Sequence, residues 1–179
     1  EQLTRSMHFV MMQLVSHYAP KSPIAEAYRT LRTNILAHKG ESSIAILITS
    51  SGPKEGKSTS IANLAITFAQ MNSKVILVDM DLRRPTVHSK LGLEKENGTS
   101  DFLIDPEVSV EQVIKPSGIA NLDVITSGFI PPNPSELIAS PRTDFLLEEL
   151  KSRYDFVLVD SPPLIAVTDA LILTKKVDM

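Results

Sequence analysis

Lysine, serine and glycine stand together at residues 51–59, between an apolar run and a helical pattern. The stretch reads Ser51, Gly52, Pro53, Lys54, Glu55, Gly56, Lys57, Ser58 and Thr59. A glycine-containing loop exposes its backbone N–H groups, and the helix that follows adds partial positive charge, so such a loop can cradle polyphosphate. Lys57, in a solvated loop, is expected to reach the β- and γ-phosphates, and the Ser58 hydroxyl to complete a Mg²⁺ shell. Ser51 stands where this P-loop motif usually has its first glycine, and the alternative interpretation is a tight strand–helix turn.

Acidic residues follow two further apolar runs. Asp79 and Asp81 come after Val75–Val78, and Asp160 follows Phe156–Val159. Such runs are typical of buried parallel strands, whose carboxyl ends present ligand-binding groups in an open α/β sheet. Beside a P-loop, Asp79 and Asp81 are candidates for Mg²⁺ ligand or general base, and the sequence does not divide the two roles between them. Asp160 matches the Walker B arrangement, which holds Mg²⁺ directly or through water; its alternative is a helix N-cap.

The elements that must position these residues alternate along the chain. Strands are predicted at residues 44–49, 75–78, 122–125 and 155–159. Helices are predicted at residues 24–38, from the P-loop to about 71, and at 100–104, 109–114, 143–152 and 168–177, with another capped by Asn133 or Ser135. The sequence therefore predicts an α/β fold, a mostly parallel sheet with helices on both faces, in a P-loop NTPase architecture.

Length and composition exclude several classes of protein. At 179 residues, with 42% hydrophobic and 22% charged residues, the chain has the size and composition of one globular domain. A net charge of −3 gives no basic field for nucleic acid, so no nucleic-acid partner is expected. The chain contains no cysteine, which excludes disulfides and thiolate metal sites. No apolar run approaches the roughly 20 residues of a membrane span.

Two segments near the N-terminus allow more than one interpretation. Residues 1–20 are expected to form an arm outside the core of a domain at 21–179, and the apolar stretch Met7–Val15 suits a partner chain or a fusion remnant. The alternative is an element laid on the domain's own surface. On the helix that follows, Glu26, Arg29 and Arg32 share one face. Glu26 can pair with Arg29, which leaves Arg32 over, so the face is either solvated with a local ion pair or a contact with another subunit.

In combination, these motifs resemble the bacterial tyrosine kinases of capsular and exopolysaccharide synthesis. The resemblance covers residues 22–179: 51–59 for Walker A, 75–85 for the Walker A′ motif Asp79-x-Asp81-x-Arg83, 156–163 for Walker B, 132–137, and Glu26-x-x-Arg29-x-x-Arg32. It implies transfer of phosphate from ATP, with Mg²⁺, to protein tyrosines. The site residues it implies are Lys57, Asp79, Asp81 and Asp160 for catalysis, 51–59 for the nucleotide, and Ser58 with the three aspartates for the metal.

The same resemblance carries expectations about partners. It implies a homo-oligomeric ring with Glu26, Arg29 and Arg32 at the subunit contact. It also implies a membrane-spanning activator whose cytoplasmic tail docks on the kinase and holds it at the inner face of the membrane; the segment 1–20 would be such a tail or its mimic. Members of this family end in a tyrosine-rich tail that is their own substrate. Here the tyrosines are Tyr18, Tyr28 and Tyr154, and the chain stops before a strand expected after residue 178, so the domain is expected to be C-terminally incomplete.

A second function stays open at this point. The deviant Walker A ATPases, which position division sites and plasmids, are wider relatives of this pattern. Those proteins have a characteristic lysine five residues before the P-loop lysine, where this chain has Gly52. That difference favours the kinase. The missing tyrosine cluster, however, leaves open the alternative function of a nucleotide-gated assembly switch.

Overall fold

A computed structural model describes residues 13–40, 42–165 and 168–179. The strands are β1 (Ile44–Ile48), β2 (Val75–Asp79), β3 (Lys115–Pro116), β4 (Leu122–Ile125) and β5 (Phe156–Asp160). The helices are α1 (Val15–Tyr18), α2 (Pro23–His38), α3 (Lys57–Ala69), α4 (Val87–Leu91), α5 (Thr99–Ile104), α6 (Val110–Val113), α7 (Pro134–Ala139), α8 (Pro141–Arg153) and α9 (Asp169–Leu173). Within these ranges, no helix combines the length and apolarity needed to cross a membrane.

The five strands form one sheet in the order β1-β5-β2-β4-β3. β1, β5, β2 and β4 are parallel, and β3 is antiparallel to β4. The predicted α/β fold with a mostly parallel sheet is confirmed. β3 was not predicted, because a two-residue strand containing Pro116 has no alternating pattern to detect.

Helices cover both faces of the sheet, each over its own apolar layer. Successive side chains of a strand point to opposite faces, and Leu77 of β2 accordingly packs with α3, whereas Ile76 packs with α8. On the α3 side, Phe68 stacks on Phe156 with ring centroids 4.0 Å apart. β2 and β5 are buried along their whole length, which explains why both read as unbroken apolar runs.

The helices agree with the prediction where capping signals are strong and disagree where they are weak. α2 begins at Pro23 with Ser22 as its cap, whose hydroxyl accepts a hydrogen bond from Ala25 N at 3.1 Å. The last helix is shorter than predicted and ends at Leu173. α4 was missed, because five residues after a proline provide too little periodicity to identify a helix.

Part of the N-terminal segment belongs to the core. Leu14 is 3% exposed and packs in the apolar layer of α3. The side-chain amide of Asn63, on α3, accepts from Ser16 N at 2.8 Å and donates to the Gln13 carbonyl at 2.7 Å. The prediction of an arm outside the core is therefore wrong at Leu14, and residues 13–18 match the alternative, an element on the domain's own surface. Most of the stretch from Met7 lies outside the described residues.

The last two residues pair with the outer edge of β1. Leu47 N donates to the Met179 carbonyl at 2.8 Å, and Asp178 N donates to the Ala45 carbonyl at 2.9 Å. The Asp178 carboxylate accepts from Ala45 N at 2.8 Å. The sequence predicted a further strand after residue 178, without assigning it to an edge.

Candidate active site

The loop between β1 and α3 has the conformation that its glycines allow. Gly56 adopts a left-handed backbone with φ 85° immediately before α3, and Lys54 adopts φ 63°. The Ser50 hydroxyl donates to the Gly52 carbonyl at 2.8 Å, which tightens the loop. Because Lys57 is the first residue of α3, the unpaired N–H groups of this helix start lie at the loop. The loop thus has the geometry of an anion cradle.

Lys57, Ser58 and Asp160 are hydrogen-bonded to one another. Lys57 Nζ lies 2.6 Å from Asp160 Oδ1, and the Ser58 hydroxyl donates to Asp160 Oδ2 at 2.6 Å. The Lys57 side chain is only 9% exposed and that of Asp160 is fully buried, so the expectation of a solvated lysine is wrong. The structure joins the P-loop directly to the acid at the end of β5.

Asp79 and Asp81 lie at the end of β2, beside Asp160 on β5. Asp79 and Asp160 are register partners across the two strands. Asp79 is fully buried, and its carboxylate accepts from the N–H groups of Asp81 at 3.1 Å and Val87 at 3.2 Å. Asp81 Oδ2 lies 3.9 Å from Lys57 Nζ. The two acids therefore differ: Asp79 is held inside the protein, whereas Asp81 faces the lysine.

Burial and neighbouring charges raise the pKa of two carboxyl groups of this site, Asp79 and Asp160. Burial raises the pKa of Asp79 well above its usual range, and the charges of Asp160 and Asp81 raise it further. Burial also raises the pKa of Asp160, although its bonds from Lys57 and Ser58 favour the charged form. Such mutual perturbation of titratable groups in a cleft is typical of functional sites.

These groups meet at one cleft of about 740 Å³. Its lining combines the P-loop and the start of α3 with the turn after β2 and the prolines after β5: Ser50, Gly52 to Thr59, Asp81, Arg83, Arg84, Thr86, Lys90, Pro162 and Pro163. The structure therefore brings together the predicted nucleotide-binding residues and Asp81. Ser51, Asp79 and Asp160 are not in the lining, and both of these aspartates are fully buried.

Sequence reasoning missed the roles of two residues, Ser135 and Asp169, which both contact Arg83. Arg83 Nε donates to Asp169 Oδ2 at 2.8 Å, and Arg83 Nη2 donates to the Ser135 hydroxyl at 2.8 Å. The Ser135 hydroxyl in turn donates to Asp169. Asp169 lies 86 positions from Arg83, and a single acid at the start of a short helix gives no pattern that would have identified it.

The predicted interface residues lie apart from the cleft, on α2. Arg29 pairs with Glu26 at 2.6 Å, as expected. Arg32, however, donates from Nη1 to the Thr67 carbonyl on α3 at 2.7 Å. The prediction that folding leaves Arg32 without a partner is therefore wrong, because α2 packs closely enough on α3 for the arginine to reach a backbone oxygen.

The chemistry of the donor set suits a nucleotide with Mg²⁺. The Ser58 hydroxyl and the carboxylates of Asp81 and Asp160 offer the oxygen ligands that Mg²⁺ prefers. Among residues 13–40, 42–165 and 168–179, no three acidic or histidine side chains form a cluster able to hold a metal by themselves. This agrees with the usual Mg²⁺ site of nucleotide enzymes, in which a few protein oxygens, phosphates and water share the ion.

Known proteins with similar sequences are tyrosine kinases. A family model described as an AAA domain matches residues 43–177. The tyrosine-protein kinase YwqD of Bacillus subtilis is 48% identical over 160 residues, which cover 89% of this chain and 67% of that protein. The putative tyrosine-protein kinase CapB of Staphylococcus aureus is 41% identical, over 92% of this chain and 72% of that protein. The kinase domain of the Escherichia coli tyrosine kinase ETK has a TM-score of 0.87 at 36% identity, covering 92% of this chain and 64% of that domain.

The assembly ATPases are a more distant relation. The septum site-determining protein MinD of Pyrococcus horikoshii, complexed with Mg-ADP, has a TM-score of 0.62 at 25% identity, covering 75% of this chain and 55% of that one. This likeness confirms the predicted P-loop NTPase architecture. The assembly ATPase therefore shares the fold of this chain, but its sequence and structure are less similar to it than those of the kinases.

Proposed function

Because the chain belongs to the family of bacterial tyrosine-protein kinases, we propose that its cleft binds ATP with Mg²⁺ and transfers the γ-phosphoryl group to protein tyrosines. The observation that carries this proposal is the meeting of Lys57, Ser58, Asp81 and Asp160 at one sheet edge. A P-loop and a carboxylate that line one cleft, with a Walker B acid bonded to the P-loop lysine and serine, are the parts that phosphoryl transfer requires.

Different protein groups bind the phosphates and neutralise their negative charge. The loop around Gly56 and the start of α3 bind the phosphates through backbone N–H groups, and Lys57 neutralises charge on the transferring group. Ser58 and Asp160 hold Mg²⁺, which neutralises charge on the phosphates when it is bound. No protein group of the cleft needs to form a covalent bond with the phosphate, because catalysis in this class of reaction is chiefly positioning and electrostatic stabilisation.

We assign the base to Asp81 and an internal role to Asp79. A tyrosine hydroxyl has a pKa near 10, so its attack benefits from a carboxylate that accepts the proton. Asp81 lines the cleft and lies 3.9 Å from Lys57. Asp79 is fully buried and occupied by two backbone N–H groups, which suits fixing the turn that presents Asp81.

We extend the proposal to the partners that the family resemblance implies. The kinase would serve capsular or exopolysaccharide synthesis, dock on the cytoplasmic tail of a membrane-spanning activator, and so act at the inner face of the membrane. It would assemble as a homo-oligomeric ring through α2. Arg29 suits that contact better than Arg32, because Arg32 is engaged with α3 of its own chain. The kinase domain would include residues 13–20 as well as 21–179, because Leu14 packs in its core.

A supplied acceptor peptide makes the kinase reaction measurable. Tyr154 is a poor internal acceptor, because its hydroxyl donates to Asp123 at 2.8 Å and burial raises its pKa. Incubation with γ-labelled ATP, Mg²⁺ and a tyrosine-rich peptide, with the activator tail as a second peptide, should give phosphotyrosine. Lys57→Met is the negative control, and Lys176→Met the matched lysine control outside the cleft. ATP hydrolysis without phosphotyrosine formation, both with and without the activator tail, would favour the assembly switch instead.

A further inference from the structure

Arg83 is fixed between two other segments by a buried acid. Asp169 at the start of α9 is fully buried, and it accepts from Arg83 Nε at 2.8 Å and Nη2 at 3.3 Å. Ser135, in α7, donates to Asp169 and accepts from Arg83. A two-point arginine–carboxylate contact fixes the plane of the guanidinium as well as its position. These bonds tie the turn after β2 to α7 and α9.

The fixed arginine lies between this contact and the proposed base. The Arg83 side chain is 37% exposed and lines the nucleotide cleft. Its backbone N–H donates to Asp81 Oδ1 at 3.3 Å, and Arg84 N donates to the same oxygen at 3.0 Å. The residue whose side chain is bound to Asp169 thus also supplies, with Arg84, the N–H groups that orient Asp81.

Folding alone does not require this arrangement. A fully buried aspartate costs solvation free energy, and an ion pair repays it only with good geometry. An apolar residue at 169 would pack beside Ala170 and Leu173, which are both buried, without that cost. The pairing instead restricts one arginine at the mouth of the cleft.

We propose that Asp169, together with Ser135, is a positioning residue for phosphoryl transfer, which acts by holding Arg83 and through it the turn that aims Asp81. This inference rests on the proposed kinase function, because it takes Asp81 to be the group that serves the acceptor tyrosine. Asp169 itself is buried and does not line the cleft.

A double-mutant cycle tests the route through Arg83. Arg83→Gln should lower kcat about 10- to 100-fold, and Asp169→Asn about 10-fold. In the Arg83→Gln background, Asp169→Asn should change kcat by less than about 2-fold, because the arginine it positions is gone. Binding of a fluorescent ATP analogue should change by less than about 3-fold in all variants, since the P-loop and Lys57 bind the phosphates.

A matched control separates positioning from a general structural role. Tyr154→Phe removes a hydrogen bond of similar length to a carboxylate, from Tyr154 to Asp123, at the amino ends of the strands; kcat should stay unchanged. Ser135→Ala is the milder variant should Asp169→Asn fail to fold, and its loss of about 3-fold in kcat should also vanish without Arg83. A loss of equal factor in both backgrounds overturns the proposal.

The outcome for this inference is distinguishable from that for the function. Phosphotyrosine formation by the wild type tests the kinase assignment alone. If the wild type only hydrolyses ATP, the same cycle is measured on hydrolysis, and additive effects there refute the Asp169 role independently.

Discussion

Lys57→Met should destabilise the nucleotide-free protein as well as abolish phosphotransfer. Lys57 is 9% exposed and lies 2.6 Å from the fully buried Asp160. Removing one partner of a buried ion pair costs about 3–5 kcal/mol, because the other charge is left without compensation. Asp160 keeps its hydrogen bond from Ser58 and can bind a proton instead, so we expect the lower value of about 2–3 kcal/mol.

Thermal unfolding in EDTA without nucleotide measures this loss. For a domain of this size, 1 kcal/mol shifts Tm by about 2–4 °C, so Tm should fall by about 4–12 °C. Lys176→Met is the matched control: Lys176 pairs with Asp144 at 2.6 Å, but Asp144 is 54% exposed, and loss of such a pair costs less than about 1 kcal/mol. The double variant Lys57→Met/Asp160→Asn should recover roughly half of the loss, since no buried charge then remains.

The stability that Lys57→Met loses relative to wild type should also become smaller as the pH falls. Burial raises the pKa of Asp160 in the folded protein, and Lys57 partly lowers it again. Without Lys57 this pKa is higher still, so on acidification the folded variant binds protons at a higher pH than the folded wild type does. Stability of this variant relative to wild type therefore rises toward acidic pH. An unchanged Tm at neutral pH would refute the ion-pair reasoning, whereas kinase activity lower by about 10²–10³-fold tests only the role of the lysine in catalysis.

Three further predictions concern the rest of the site and its support. Asp81→Asn should lower kcat at least about 10²-fold with little effect on Tm. Asp79→Ala should lower both kcat and Tm, because it leaves two buried N–H groups without an acceptor. Kinase assays and thermal melts on both variants test this difference. Arg32→Ala should lose about 1 kcal/mol with its bond to the α3 carbonyl, and Arg29→Ala should keep stability but lower the oligomer mass; light scattering of both against wild type is the measurement. Leu14→Ala should cost about 2–4 kcal/mol in urea unfolding, and a value near zero would show that the N-terminal segment does not belong to the core.

The sequence was informative wherever a local pattern has one structural solution. The apolar runs before Asp79 and Asp160 predicted two buried parallel strands, and the glycine before Lys57 predicted a tight phosphate-binding loop; the structure adds that the strands are adjacent and that Gly56 is left-handed. Contacts made by side chains far apart in sequence could not be predicted. The bond of Arg32 to α3 depends on the closeness of two helices, and Asp169 gains its role from a fold that brings α9 beside the turn after β2.

The charges at the sheet edge argue that this site is arranged for a ligand. Asp79, Asp81 and Asp160 surround a single lysine, Lys57, and two of the three carboxylates are fully buried. Burial, together with repulsion from Asp160 and Asp81, raises the pKa of Asp79 and disfavours its charged form. A protein selected only for stability would replace one of these acids with an apolar residue. In the proposed complex, a divalent cation would supply the positive charge that these carboxylates lack, and the triphosphate would give Lys57 a second partner. The same local excess of negative charge that weakens the empty fold therefore favours the Mg²⁺–nucleotide complex.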